Sequence, residues 1–91
     1  GVSIGDDSLI NTGAIIDHDC KIGIHNHIAS GACLSGGVVT ASQVHVGTGA
    51  NIIQGISVGD GAVIGAGVSV VRNVLPGETI IPAAIRKMGA A

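Results

Sequence analysis

An aliphatic side chain returns at every sixth position of this chain. From Ile4 the column runs through Ile10, Ile16, Ile22, Ile28, Leu34, Thr40, Val46, Ile52, Val58, Ile64 and Val70, so eleven of twelve positions are Ile, Leu or Val. A second column of mostly small or branched residues follows four places later: Ser8, Ala14, Cys20, Asn26, Ala32, Val38, Val44, Ala50, Ile56, Ala62, Val68 and Val74. Glycine stands one place before that column in seven of the twelve repeats, at Gly13, Gly31, Gly37, Gly49, Gly55, Gly61 and Gly67. A period of six is neither that of an amphipathic helix nor simple strand alternation. It predicts short strands joined by tight turns and wound as a hexapeptide solenoid.

Alternate side chains of a strand share a face. The first and fifth places, which flank the sixth, therefore point together into a narrow prism, and the sixth faces out. The turn falls at the third and fourth places, where glycine reaches positive φ without a Cβ clash. Three hexads close one coil, so residues 18 apart stack at about 4.8 Å, the spacing of neighbouring strands. The expected fold class is all-β, a parallel β-helix with residues 1–75 forming about four coils. Thr40 is expected as a weaker inward contact that leaves the register intact. The pattern stops at Leu75-Pro76-Gly77, and residues 76–91 are expected as a C-terminal strand and arm of the same domain, with 83–89 a short helix or a cover for the open end.

Phe, Trp and Tyr are absent, so burial rests on Ile, Val, Leu and Ala stacked like on like. A solenoid of 91 residues exposes much surface for its volume, which predicts association. The chain has no initiator Met and the repeat is already running at Gly1, so it reads as part of something longer. A net charge of −2 argues against a nucleic-acid partner, although Arg72, Arg86 and Lys87 near the end suit a small polyanion. No run approaches the roughly 18 apolar residues of a membrane span. Cys20 falls in an inward column and Cys33 at an outward place, not one coil apart, so no disulfide is expected and a reducing cytoplasm is.

None of the four histidines occupies an inward column: His18 is at the third place of its hexad, His25 at the fourth, His27 and His45 at the sixth. His18 lies between Asp17 and Asp19, carboxylates that hold an imidazole in one tautomer and raise its basicity. Gly36 is one coil above it, with a backbone N–H unshielded by a side chain. A base and a backbone donor one strand spacing apart suit acyl transfer. His45 stacks over His27 on one outer face.

At these residues the chain resembles a known family. Ile10-Asn11-Thr12, Ile16-Asp17-His18-Asp19-Cys20-Lys21-Ile22-Gly23, His27-Ile28, Leu34-Ser35-Gly36-Gly37-Val38 and Ile64-Gly65-Ala66-Gly67 are similar to the left-handed β-helix acetyltransferases that modify sialic acid or nucleotide-linked amino sugars. The resemblance implies a left-handed solenoid, a homotrimer, and acetyl-CoA as co-substrate lying between neighbouring prisms, with no metal. It implies His18 as general base toward a sugar hydroxyl or amine, supported by Asp19, and Gly36 as donor to the thioester carbonyl. Asn11 and His27 match positions that contact acceptor or thioester. Thr48 and Ala66 match positions whose backbone runs along the pantetheine arm, and Arg86 falls near a residue that meets CoA phosphates. The family carries an N-terminal α/β domain that these residues do not include, and its usual Gly-Asn-Pro-Ala-like ending is replaced here by Ile81-Pro82-Ala83-Ala84-Ile85-Arg86.

Two other classes compete with this reading. A zinc hydratase on the same solenoid would draw histidines from adjacent subunits, and the His27–His45 stack gives it substance, but the His-x₄-His spacing of that family is missing. A non-catalytic β-helix scaffold would display regular Thr-x-Thr columns in the ice-binding case, and Thr12, Thr40, Thr48 and Thr79 form none.

Overall fold

The structure, a computed structural model, describes residues 1–82. The expected helix or arm over 83–89, and Arg86 with it, lie outside the described residues. Thirteen two-residue strands follow one another among the described residues: β1 (Ser3–Ile4), β2 (Leu9–Ile10), β3 (Ile15–Ile16), β4 (Lys21–Ile22), β5 (His27–Ile28), β6 (Cys33–Leu34), β7 (Val39–Thr40), β8 (His45–Val46), β9 (Asn51–Ile52), β10 (Ser57–Val58), β11 (Val63–Ile64), β12 (Ser69–Val70) and β13 (Thr79–Ile80). They stack as three parallel sheets: a first face of β1-β4-β7-β10, a second of β2-β5-β8-β11-β13 and a third of β3-β6-β9-β12. Through β12 every pairing joins residues 18 apart, as in Ile10 with Ile28 and Leu34 with Ile52. The hexad thus becomes one side of a triangular prism and three hexads one coil.

The two inward columns form the core as expected. Ile28, Leu34, Val46 and Ile64 of the first place, and Cys20, Ala32, Val38, Ala50 and Ala62 of the fifth, are fully buried. Thr40 is 3% exposed, and its Oγ1 accepts the Gly23 N–H at 3.3 Å, so the hydroxyl is satisfied and the coil does not break. Asn26, also inward, donates from Nδ2 to the carbonyls of Ile24 (2.9 Å) and Ala41 (2.7 Å). Ile4 and Ile10 of the first coil are exposed despite their inward register.

The fourth place of the hexad carries the positive φ. The seven glycines of that column have φ of 68–77°, and where glycine is absent Asp7, Asp19, His25 and Gln43 adopt φ of 53–61°. Asp19 is held in the left-handed region by the same turn that aims its neighbour His18, a conformation acidic and amide side chains tolerate better than branched ones.

The final turn departs from the expected register. Val74 is buried, but it bridges to Val58, and β13 pairs Thr79 with Val63: both separations are 16 residues. Val74 therefore takes a first-place position two residues early, not the fifth-place position read from its column. Asn73 Oδ1 receives the Ser57 N–H at 2.9 Å across the shortened corner. Arg72 grips Glu78 through two hydrogen bonds, Nη1 to Oε1 at 3.1 Å and Nη2 to Oε2 at 2.6 Å. Cys33, at its outward place beside the inward Leu34 on the third face, is half-buried, and both cysteines are free thiols. No helix among the described residues is long and apolar enough to cross a membrane.

Candidate functional site

The corner joining the third face to the first is built by residues 17–20, 35–38 and 53–56, so His18 and Gly36 stand one above the other. They touch. A Cβ built on Gly36 would lie 2.5 Å from His18 Nε2 and 3.1 Å from Nδ1, and would also strike Cε1. Gly36 has no positive φ, so glycine is required here for close approach of the imidazole and not for backbone conformation. The segment is pinned on both sides: Gly37 N–H donates to the His18 carbonyl at 2.9 Å, and Gly36 O accepts from Gly55 N–H at 3.0 Å. The N–H of Gly36 has no protein acceptor among the described residues.

His18 Nδ1 lies 3.2 Å from Asp19 Oδ2. The hydrogen bond from His18, and after it one from the Gly1 amine, hold the Asp19 carboxyl below its ordinary value. An ionised carboxylate only accepts, so Nδ1 is the donor to Asp19, and in the neutral ring Nε2, beside Gly36, is the nitrogen with the lone pair. Both side chains are more than half exposed. Asp17 acts differently from its sequence reading: its Oδ1 accepts the backbone N–H of His18 at 2.7 Å instead of flanking the ring. It fixes the turn, and Asp19 alone orients the imidazole. Asp side chains commonly bond nearby turn amides, but sequence does not say which of two flanking carboxylates reaches a ring.

The remaining expected residues gather elsewhere. Asn11 Nδ2 and His27 Nε2 are 3.0 Å apart on and beside the second face. His27 and His45 sit in register and meet edge to face, with ring centroids 4.7 Å apart and planes at 84°. Thr48 and Ala66 are exposed, one coil apart, on the corner between the second and third faces. Within one chain the second face lies opposite the His18–Gly36 corner, and the Thr48–Ala66 corner is a full face-width away. The structure thus makes two groups of the expected residues and does not bring them together in a single chain. Among the described residues no three His, Cys, Asp or Glu cluster at metal-holding range. A concavity bordered by Ser69, Val70, Val71, Arg72, Val74 and Ile80 opens at the C-terminal end of the prism, away from His18.

Neither a protein-family model nor a curated protein matches this chain. Solved structures do. Perosamine N-acetyltransferase from Caulobacter crescentus, solved as a histidine-to-asparagine mutant with CoA and GDP-perosamine, is 35% identical with a TM-score of 0.85, over 89% of this chain and 39% of that one. WeeI from Acinetobacter baumannii AYE is 30% identical with a TM-score of 0.86, over 90% of this chain and 41% of that one. Serine acetyltransferase isoform 3 from Entamoeba histolytica, in complex with cysteine, is similar in fold at 19% identity, with a TM-score of 0.74 over 100% of this chain and 36% of that one. The chain spans about two fifths of the length of the first two. These likenesses bear out the sequence resemblance to β-helix acetyltransferases and support its left-handed parallel β-helix.

Proposed function

We propose that this chain carries the acetyl-transfer site of an acetyl-CoA-dependent acetyltransferase whose acceptor is the amine of a nucleotide-linked amino sugar. The observation that carries the reading is the His18 imidazole lying against Gly36 with Nδ1 tied to Asp19. The similarity to a perosamine N-acetyltransferase crystallised with CoA and GDP-perosamine favours an amine of a nucleotide sugar over a sialic acid hydroxyl.

The chemistry follows from the placement of the atoms. The acceptor nitrogen attacks the thioester carbonyl carbon while His18 Nε2 takes its proton. The oxygen, now carrying negative charge, is met by the free Gly36 N–H, a contact worth about 3–4 kcal/mol in comparable sites. The carbon–sulfur bond then breaks, and the imidazolium returns the proton to the departing CoA thiolate. Asp19 stabilises the imidazolium formed in between and keeps the ring in its productive tautomer. Holding both substrates in one groove supplies much of the remaining acceleration. No covalent enzyme intermediate is required.

Asn11, His27, Thr48 and Ala66 join this site when a neighbouring copy supplies them. A homotrimer closed by rotation sets the second face and its adjoining corner of one prism against the His18 corner of the next. CoA would then lie between the prisms, its pantetheine amides along the exposed backbone at Thr48 and Ala66.

Replacing His18 by Asn tests the reading. Acetyl transfer to GDP-perosamine should fall by roughly 10²–10⁴-fold while the affinity for CoA measured by calorimetry stays the same. A variant with wild-type turnover would remove His18 from the chemistry.

A further inference from the structure

The second face carries an outward column that the chemistry above uses only in part: Leu9, His27, His45 and Val63, paired in register from coil to coil. His27 is held on three sides. Leu9 pairs with it in the coil below, Asn11 Nδ2 reaches its Nε2 at 3.0 Å, and His45 pairs with it in the coil above. The two imidazoles do not lie flat on one another. Their centroids are 4.7 Å apart and their planes stand at 84°, the edge-to-face arrangement in which the positive rim of one aromatic ring meets the negative face of the other. Both histidines are half-buried.

The hydrogen bond to Asn11 decides the state of the ring. An amide nitrogen donates and does not accept, so His27 Nε2 accepts from Asn11 Nδ2, and the neutral ring then has its proton on Nδ1. An unconstrained imidazole in water prefers the other nitrogen, Nε2. The torsion about Cβ–Cγ of a histidine has a broad profile, and rotation about it carries Nε2 away from Asn11. An edge-to-face neighbour one strand spacing above opposes that rotation and fixes the plane in which Nε2 meets the amide.

We propose that His45 is a positioning residue: packed edge to face on His27, it holds that imidazole in the plane where Asn11 bonds Nε2 and so selects the form protonated on Nδ1. The inference rests on the acetyl-CoA reading above, in which Asn11 and His27 of one copy meet the His18 corner of the next. Within that reading His45, to which the resemblance gave no part, keeps one nitrogen of His27 a hydrogen-bond donor. It acts through His27 and touches neither substrate.

The experiment compares wild type, His45→Phe and His45→Ala. Phe keeps an aromatic ring for the contact but has no nitrogen, and Ala keeps neither. Turnover with acetyl-CoA and GDP-perosamine should fall by roughly ten- to hundredfold in His45→Ala, with KM for both substrates close to wild type, and His45→Phe should recover most of the loss. The second readout is the nitrogen-15 spectrum of the His27 ring above about pH 8, where imidazoles are ordinarily neutral, its signals assigned by their loss in His27→Ala. Wild type and His45→Phe should show the proton on Nδ1, and His45→Ala should shift toward the Nε2–H form. If His45→Phe is as impaired as His45→Ala, a nitrogen of His45 is what matters and the proposal is overturned. Wild-type turnover in His45→Ala overturns it too, as does a His27 ring protonated on Nε2 in wild type or left unmoved in His45→Ala. Wild type that transfers no acetyl group would remove the acetyl-CoA reading, while the nitrogen spectrum still decides whether His45 sets the state of His27, so the two failures are distinguishable. Melting temperatures of the variants, taken alongside, identify any loss of folded protein.

Discussion

Gly36→Ala separates the catalytic geometry from the fold. The new methyl would lie 2.5 Å from His18 Nε2, against an ordinary carbon contact of about 3.5–4.0 Å, so the imidazole must retreat by about 1 Å. The backbone has no objection, because φ at Gly36 is not positive, and the obstructing atoms belong to an exposed ring free to swing away. Stability should therefore change by no more than about 0.5–1 kcal/mol, the stiffer unfolded chain offsetting part of the displacement. Catalysis should not survive so well. A displacement of about 1 Å at a reacting group costs on the order of 10²-fold, or about 2.7 kcal/mol of barrier. Gly37→Ala is the matched control: its Cβ meets nothing within 4 Å, but φ is +70°, so it should lose about 1–2 kcal/mol of stability and keep its turnover. The assay pairs thermal melting with steady-state acetyl transfer for both variants. If Gly36→Ala acetylates at the wild-type rate, the contact between ring and glycine has no catalytic meaning.

Other outcomes follow from the same structure. Leu34→Ala, at a fully buried position in the third face, should cost about 2–5 kcal/mol in denaturant unfolding, and Ile10→Ala, 37% exposed on the first coil, distinctly less; equal losses would contradict the assignment of the core to the buried columns. The hydrogen bonds from Arg72 and from the Leu75 N–H hold the Glu78 carboxyl at about 2, below its ordinary 4.5. A carboxylate with a depressed folded pKa stabilises above its unfolded value and loses that contribution as pH falls toward the folded one. The melting-temperature advantage of wild type over Glu78→Gln should thus be full above pH 4.5 and shrink toward pH 2; a constant advantage across that range would show that the ion pair is not its source.

The solenoid was legible because its code is one-dimensional: a hexad with two inward places specifies the side of a prism, and Ile4 through Val70 keep it. The exceptions are local. Val74 continues the column in sequence but bridges Val58 at a separation of 16, because the corner before it is two residues short, and a column count does not reveal which residues a turn has omitted. The stacking of His18 with Gly36 followed from the 18-residue register. That same register separates Thr48 and Ala66 from them by a full face, a distinction present in the numbering but hidden by a resemblance that treats the site as one. Register did not disclose which carboxylate reaches the imidazole, since Asp17 and Asp19 are both adjacent and only the turn geometry, with φ of 61° at Asp19, chooses between them. The sequence groups Arg72 with Arg86 and Lys87 as a match for a small polyanion, but its partner Glu78 lies across a turn whose shape the repeat does not encode.

The His18 corner and the Asn11–His27 pair lie on different sides of the prism, so the site proposed above draws them from two copies of the chain. Mixing His18→Asn protomers with His27→Ala protomers, each inactive alone, tests this directly: where the intact corner of one meets the intact face of the other a complete site forms, and random assembly restores it at about one interface in four. Recovery of about a quarter of the wild-type acetyl transfer on mixing is the expected result. Mixed oligomers that remain as inactive as their parents would contradict a site shared between chains.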